Sequence, residues 1–194
     1  MKERAKALVF LADGCEEIEA VTAVDVLRRG GVEVCACSAG NSAEVRGAHG
    51  ISIAADAVLP SDPAEAAAFA GPFDALVVPG GMGGVGNLAA SPAVLAALRA
   101  ADSRGAVVAA VCAGPMVLDA AGLLAGHRHC CYPGIEKNLS GAGEFVPGAT
   151  SATDGNIVTG TGPGTAMEFA LEVLRALGGP ADAVAGGLLF SKQR

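Results

Sequence analysis

Short β-branched runs alternate with Ala- and Leu-rich stretches of helical length along most of this chain, and that alternation is the strongest constraint on its fold. A strand, a covering helix and a second parallel strand form a repeating unit. The pattern therefore predicts an α/β protein with a mainly parallel sheet covered by helices on both faces. Strands are expected at residues 5–11, 32–38, 75–78 and 107–111. Helices are expected at 16–29, 64–70, 91–104, 115–124 and 165–177, with a final short helix from about Ala181. Glu16 and Glu17 suit the first turn of the first helix, Arg28 and Arg29 its last, and Gly30 its end. Ser91-Pro92 forms an N-cap and first-turn pair. Residues 43–55 read as a small β-hairpin excursion, 127–131 as a strand, and Asp154-Gly155 as a hairpin turn between residues 150 and 159. The glycine-dense segment from Gly80 to Gly86 reads as a loop, with the next helix starting only at Ser91.

Nothing interrupts this pattern with a linker or a repeat, so the expectation is one domain over residues 1–194. With 52% hydrophobic residues but only six Phe, one Tyr and no Trp, the core must be built from Ala, Val and Leu. A net charge of −7 gives no basic footprint for nucleic acid. The apolar run at residues 7–12 is too short for a signal peptide or a membrane span, which points to a soluble cytoplasmic protein. In such a setting the six cysteines are expected to be reduced.

Cys112 is the leading candidate for chemistry. It follows the most continuously apolar strand and precedes Ala113-Gly114-Pro115 and a helix, the order of a nucleophile elbow. A thiol near a helix N-terminus is expected to favour its thiolate; the alternative is an inert buried cysteine. Glu19 borders the apolar face of its helix, where a partly buried carboxyl beside a cysteine can share a proton with it. The G-x-G-x-x-G from Gly81 to Gly86 lacks the acid that a dinucleotide site needs after the next strand. It reads better as a turn whose backbone amides face an oxyanion near Cys112. His127, His129 and Cys131 alternate on one strand, and Cys35 and Cys37 on another, but the C-x₂-C spacing of structural zinc is absent. No metal or other cofactor is expected. His49 falls in the excursion, facing solvent.

Four motifs, taken together, resemble the ThiJ/PfpI superfamily over nearly the whole chain. They are the run from Ala7 to Glu19, Val77-Val78-Pro79-Gly80-Gly81, Ala109-Ala110-Val111-Cys112-Ala113-Gly114-Pro115, and the segment from Thr159 to Thr165. The match is closest to the branch that contains the parkinsonism-associated deglycase. The resemblance implies a flavodoxin-like three-layer sandwich related to class I glutamine amidotransferases, assembled as a homodimer. It makes Cys112 the oxidisable nucleophile and Glu19 the acid that hydrogen-bonds its thiol. The Gly81 and Ala113 amides fall at oxyanion-binding positions, with Gly80, Tyr132, His49 and Thr161 lining the site. The activities implied are glyoxalase III or deglycase action on a small aldehyde or glycated substrate, without cofactor. The alternative is a redox sensor or redox-regulated chaperone that uses Cys112 without turnover.

Three departures qualify that inheritance. Ala113 stands where the protease-like branch has a histidine, so a peptidase triad is not expected. Tyr132 stands where close relatives place a histidine before the proline, here Pro133. A glyoxalase step would then fall to Glu19, with Tyr132 able to donate a hydrogen bond. Thr161 replaces a family arginine whose partner position is His49, so anions should be held less firmly.

Overall fold

A computed structural model describes residues 4–140 and 143–191. In chain order the elements are β1 (Lys6–Leu11), α1 (Glu17–Arg29), β2 (Glu33–Ser38), β3 (Glu44–Arg46), β4 (Ser52–Ala54), β5 (Ala57–Val58), α2 (Pro63–Phe69), β6 (Ala75–Val78) and α3 (Met82–Ala89). There follow α4 (Pro92–Ser103), β7 (Val107–Val111), α5 (Pro115–Ala120), β8 (Arg128–His129), β9 (Glu144–Phe145), β10 (Ser151–Asp154), β11 (Ile157–Gly160), α6 (Ala166–Ala176) and α7 (Ala181–Gly187).

Seven strands form one sheet in the order β10-β11-β7-β6-β1-β2-β5, parallel except where β10 meets β11. The register sets Leu8, Leu76, Val108 and Ile157 in one row and Val9, Val77, Ala109 and Val158 in the next. Because side chains alternate across a strand, these rows face opposite ways. The first row packs with residues of α2 to α5, including Ala66, Val85, Leu88, Leu98 and Leu118. The second packs with α1, α6 and α7 through Val26, Leu27, Phe169, Leu174 and Val184. The result is the expected three-layer α/β sandwich. Burying each large aliphatic side chain in these layers stabilises the fold by about 2 kcal/mol relative to leaving it in water.

The excursion is a hairpin of β3 and β4, and Gly155, at φ 60, turns β10 into β11, both as expected. Three expectations need correction. The glycine-dense segment is not a loop: α3 starts at Met82, straight after Gly81. Its glycines serve close packing, because a Cβ at Gly84 would fall 2.8 Å from both Cys15 Cα and Cys15 N. The helix expected at 115–124 stops at Ala120, with Gly122 at φ 79 just beyond it. The strand expected at 127–131 shrinks to Arg128–His129, paired with β9 in a separate two-stranded sheet.

From β1 the chain runs to β2 on one side, and later to β6 on the other side of β1. Between β1 and β6 the strand order therefore reverses, which in open α/β sheets opens a crevice at the carboxyl ends of the strands. The turns after β1, β6 and β7 carry Cys15, Gly80 and Cys112 to that edge. Among the described residues no helix is long and apolar enough to cross a membrane.

Candidate active site

Cys112 follows the last residue of β7 and has φ 64, a left-handed conformation that costs a non-glycine residue energy. Two backbone hydrogen bonds hold it there. Its N–H donates to Gly160 O and its carbonyl accepts from Tyr132 N, each at 2.9 Å. Gly114 caps α5 and Pro115 opens it, completing the strand, cysteine, turn and helix of the expected elbow.

Glu19 reaches the same point from the first turn of α1. It is 1% exposed, and its Oε2 accepts from the Gly80 N–H at 2.7 Å. Its Oε1 is buried without a hydrogen-bond partner. Burial pushes the Glu19 carboxyl up to about 7, helped by the charge of Glu16 and opposed by the Gly80 N–H and the Cys112 thiol. A carboxyl that titrates near neutrality can take up or release a proton at cellular pH.

Burial pushes the Cys112 thiol up to about 12, and the Glu19 charge and hydrogen bond push the same way. The Ala113 and Gly81 backbone N–H groups oppose them by donating to the sulfur. This corrects the expectation of a favoured thiolate. The helix that was to supply it, α5, has only six residues, and burial beside a carboxylate outweighs its N-terminus. Once Glu19 takes up a proton, however, that repelling charge is gone. Because each group shifts the other, the two titrate as one coupled pair.

The structure thus brings together Cys112, Glu19, Gly80, Gly81 and Ala113. Gly80 leaves no space between the two reactive groups, since a Cβ there would lie 3.0 Å from Cys112 Sγ. Tyr132 stands beside them through its backbone bond to Cys112, its ring 49% exposed. Two expected lining residues are committed elsewhere. The Thr161 hydroxyl donates to Ala149 O at 2.5 Å and Thr150 O at 3.2 Å. The His49 ring is 69% exposed, with Nδ1 at 2.8 Å from Glu17 Oε2 and 3.6 Å from Glu16 Oε2. Its Nδ1 is thus committed to those acids.

Glu16 and Glu17 do more than the sequence suggested. Glu16 N–H donates to Gly80 O at 3.0 Å and so fixes the turn under the thiol. Glu17 Oε1 accepts from His49 N at 2.7 Å, tying the β3–β4 hairpin to α1. Burial raises the Glu17 carboxyl, but the His49 ring and the backbone N–H groups it accepts from hold it at about 2. In the sequence both acids look like ordinary residues of a helix start; in the structure Glu16 is the N-cap of α1 and Glu17 its first residue.

The zinc alternative does not assemble. His127 Nδ1 lies 3.6 Å from Asp154 Oδ2, the His129 ring packs near Phe145, and Cys131 is in the core. Among the described residues, the trio with ligand atoms close enough for a metal is Glu16, Glu17 and His49, in which the His49 ring is already hydrogen-bonded to Glu17. A concavity of about 810 Å³ lies at the opposite end of the sheet and is lined by residues that include Lys6, Asp74 and Arg104. There Arg104 donates to Ala70 O and Phe73 O near the end of α2, at 2.6 and 2.9 Å, which is structural work.

The profile of the DJ-1/PfpI family matches residues 5–176. The chain belongs to the DJ-1/PfpI family. Among members of this DJ-1/PfpI family, Protein dj-1beta of Drosophila melanogaster is 38% identical over 187 residues, covering 95% of this chain and 97% of that one. A Caenorhabditis elegans relative named glutathione-independent glyoxalase DJR-1.2 is 35% identical over 182 residues, covering 93% and 92%. The crystal structure of Drosophila melanogaster DJ-1beta superposes with a TM-score of 0.88 at 36% identity, covering 98% of this chain and all of that one. The DJ-1/PfpI likeness therefore spans both the sheet and the turns that carry the site.

Proposed function

We propose that this protein is a cofactor-independent cysteine enzyme acting on small reactive carbonyls, of glyoxalase III or deglycase type, and that it guards against carbonyl and oxidative stress. The carrying observation is the buried Glu19 carboxyl, raised to about 7, against the strained Cys112. The name of the Caenorhabditis elegans relative supports the same reading.

In this reading the Cys112 sulfur adds to the aldehyde carbon, forming a C–S bond as the carbonyl π bond becomes an oxyanion. The thiol proton passes to Glu19, and the Gly81 and Ala113 amides hold the oxyanion. Glu19 returns that proton to the oxyanion and then moves the C1 proton to C2, which leaves a thioester on Cys112; one water hydrolyses its C–S bond, releasing the hydroxy acid and restoring the thiol. No external oxidant or reductant is consumed. Methylglyoxal loss and lactate formation are expected for the wild type and not for Cys112→Ala; equal rates would sink the proposal.

A second reading is a redox sensor or redox-regulated chaperone in which peroxide oxidises Cys112 to the sulfinate without turnover. One observation favours it: the residue bonded to the Cys112 carbonyl is Tyr132, which offers no imidazole for acid–base work. Mass spectrometry after mild peroxide should then find two added oxygens on Cys112 before the other five thiols react, alongside no lactate. We also place a second copy of the chain against α1, where Ile18, Val21 and nearby Ile51 are exposed. Sedimentation at dimer mass supports this assembly, and monomer mass refutes it.

A further inference from the structure

Tyr132 is the one tyrosine in a chain without tryptophan, and its ring lies across Gly162. A Cβ at Gly162 would stand 3.2 Å from ring Cδ2 and 3.7 Å from Cε2, with no other non-neighbouring atom within 4 Å. The Gly162 backbone is extended, at φ 167, so other residues could adopt it and the ring accounts for the missing side chain. The two segments in contact here are the same two that hold Cys112. Tyr132 N–H donates to the Cys112 carbonyl, and Gly160, two residues before Gly162, accepts from the Cys112 N–H. The ring therefore joins the two segments that bond to the Cys112 backbone, and Tyr132 remains half exposed there.

We infer that the Tyr132 ring, seated on Gly162, is a gate that restricts the Cys112 thiol to small electrophiles, so that these two residues set specificity. An aromatic ring suits this task because it is a rigid plate with two rotatable bonds, held flat by the bare backbone beneath it. The hydroxyl is not needed for it. This inference deepens the small-carbonyl reading, but its test reads access to the thiol and requires no turnover.

The test compares iodoacetamide with N-phenyl iodoacetamide, which share the reacting carbon and the leaving group and differ in bulk. In each case the sulfur–carbon bond forms as the carbon–iodine bond breaks, iodide leaves, and the thiol proton passes to Glu19 or water. Modification is followed on the Cys112 peptide by mass spectrometry, because five other thiols are present. Tyr132→Ala should raise the phenyl reagent's rate about tenfold relative to iodoacetamide, a typical steric discrimination. Tyr132→Phe should keep the wild-type ratio, and Gly162→Ala, which displaces the ring, should change it. If Tyr132→Ala changes both rates by one factor, or Gly162→Ala leaves the ratio as it was, the gate is refuted. Should Tyr132→Ala fail to fold, Gly162→Ala against Tyr132→Phe decides the matter. The lone tyrosine offers an independent readout: its emission should change in step with Cys112 alkylation, and constant emission would overturn the placement. A protein that shows the size gate yet consumes no methylglyoxal keeps this inference and loses the carbonyl reading; turnover without a gate does the reverse.

Discussion

The Gly80 N–H donates to Glu19 Oε2 at 2.7 Å, and a Cβ on Gly80 would fall 2.6 Å from that same oxygen and 2.6 Å from Cys112 Cβ. The turn after β6 thus both bonds the acid and leaves room for the thiol beside it. Gly80→Ala must push the two reactive groups apart, with an overpacking cost on the order of 2 kcal/mol. Urea unfolding should show that loss, together with a changed Cys112 alkylation rate. A variant as stable and as reactive as the wild type would mean that the site is looser than described.

Glu19 trades stability for its function. Its folded value of about 7 lies above the ordinary 4.5, so the folded state holds the proton more tightly than the unfolded chain. That contribution is fully present below 4.5 and is lost as pH rises through 7. The loss approaches about 3 kcal/mol, from 1.4 kcal/mol per unit. Glu19→Gln carries no such charge. Its stability relative to wild type should climb between pH 4.5 and 7 and then level off, in part offset by a buried amide short of acceptors. Unfolding curves at pH 5, 6, 7 and 8 measure this, and a difference that does not vary with pH contradicts it.

His49 and Glu17 give the opposite pH signature. Glu17 is held at about 2, below the ordinary 4.5, so its contribution is present above 4.5 and lost as pH falls toward 2. His49 is raised from 6.5, chiefly by its hydrogen bond to Glu17, so its contribution is present below 6.5 and lost as pH rises past its shifted value. The destabilisation by His49→Gln should therefore peak between pH 4.5 and 6.5 and shrink on both sides. Melting temperatures across pH 3–9 check this; a monotonic trend would rule the pairing out.

The packing of α3 sets two glycines apart. Gly84→Ala puts a Cβ 2.8 Å from Cys15 Cα and should cost about 1–3 kcal/mol. Gly86, in the same helix, meets nothing within 4 Å, and Gly86→Ala should gain up to about 1 kcal/mol through helix propensity. Similar effects from both would return the segment to a loop.

The layers were legible in the sequence because their signal is local. The period-2 rows around Leu76 and Val77 and the apolar helix faces are written in neighbouring residues. The glycine segment misled because low helix propensity there answers a contact with Gly14 and Cys15, about seventy positions away. At the site, Cys112 was legible from its strand, turn and helix, and Glu19 from its place on the helix face. The thiol's protonation was not, because it depends on burial and on a carboxylate from another element. His49 was placed on the surface correctly, but its bond to Glu17 needs the hairpin folded back on α1.

The central claim is that Cys112 and Glu19 share a proton as one coupled pair. Its most direct test is the pH profile of Cys112 alkylation by iodoacetamide in wild type and Glu19→Gln, read on the Cys112 peptide. Coupling predicts two inflections for wild type, the lower near the Glu19 value of about 7, and one inflection for Glu19→Gln. The same single inflection in both proteins would contradict it.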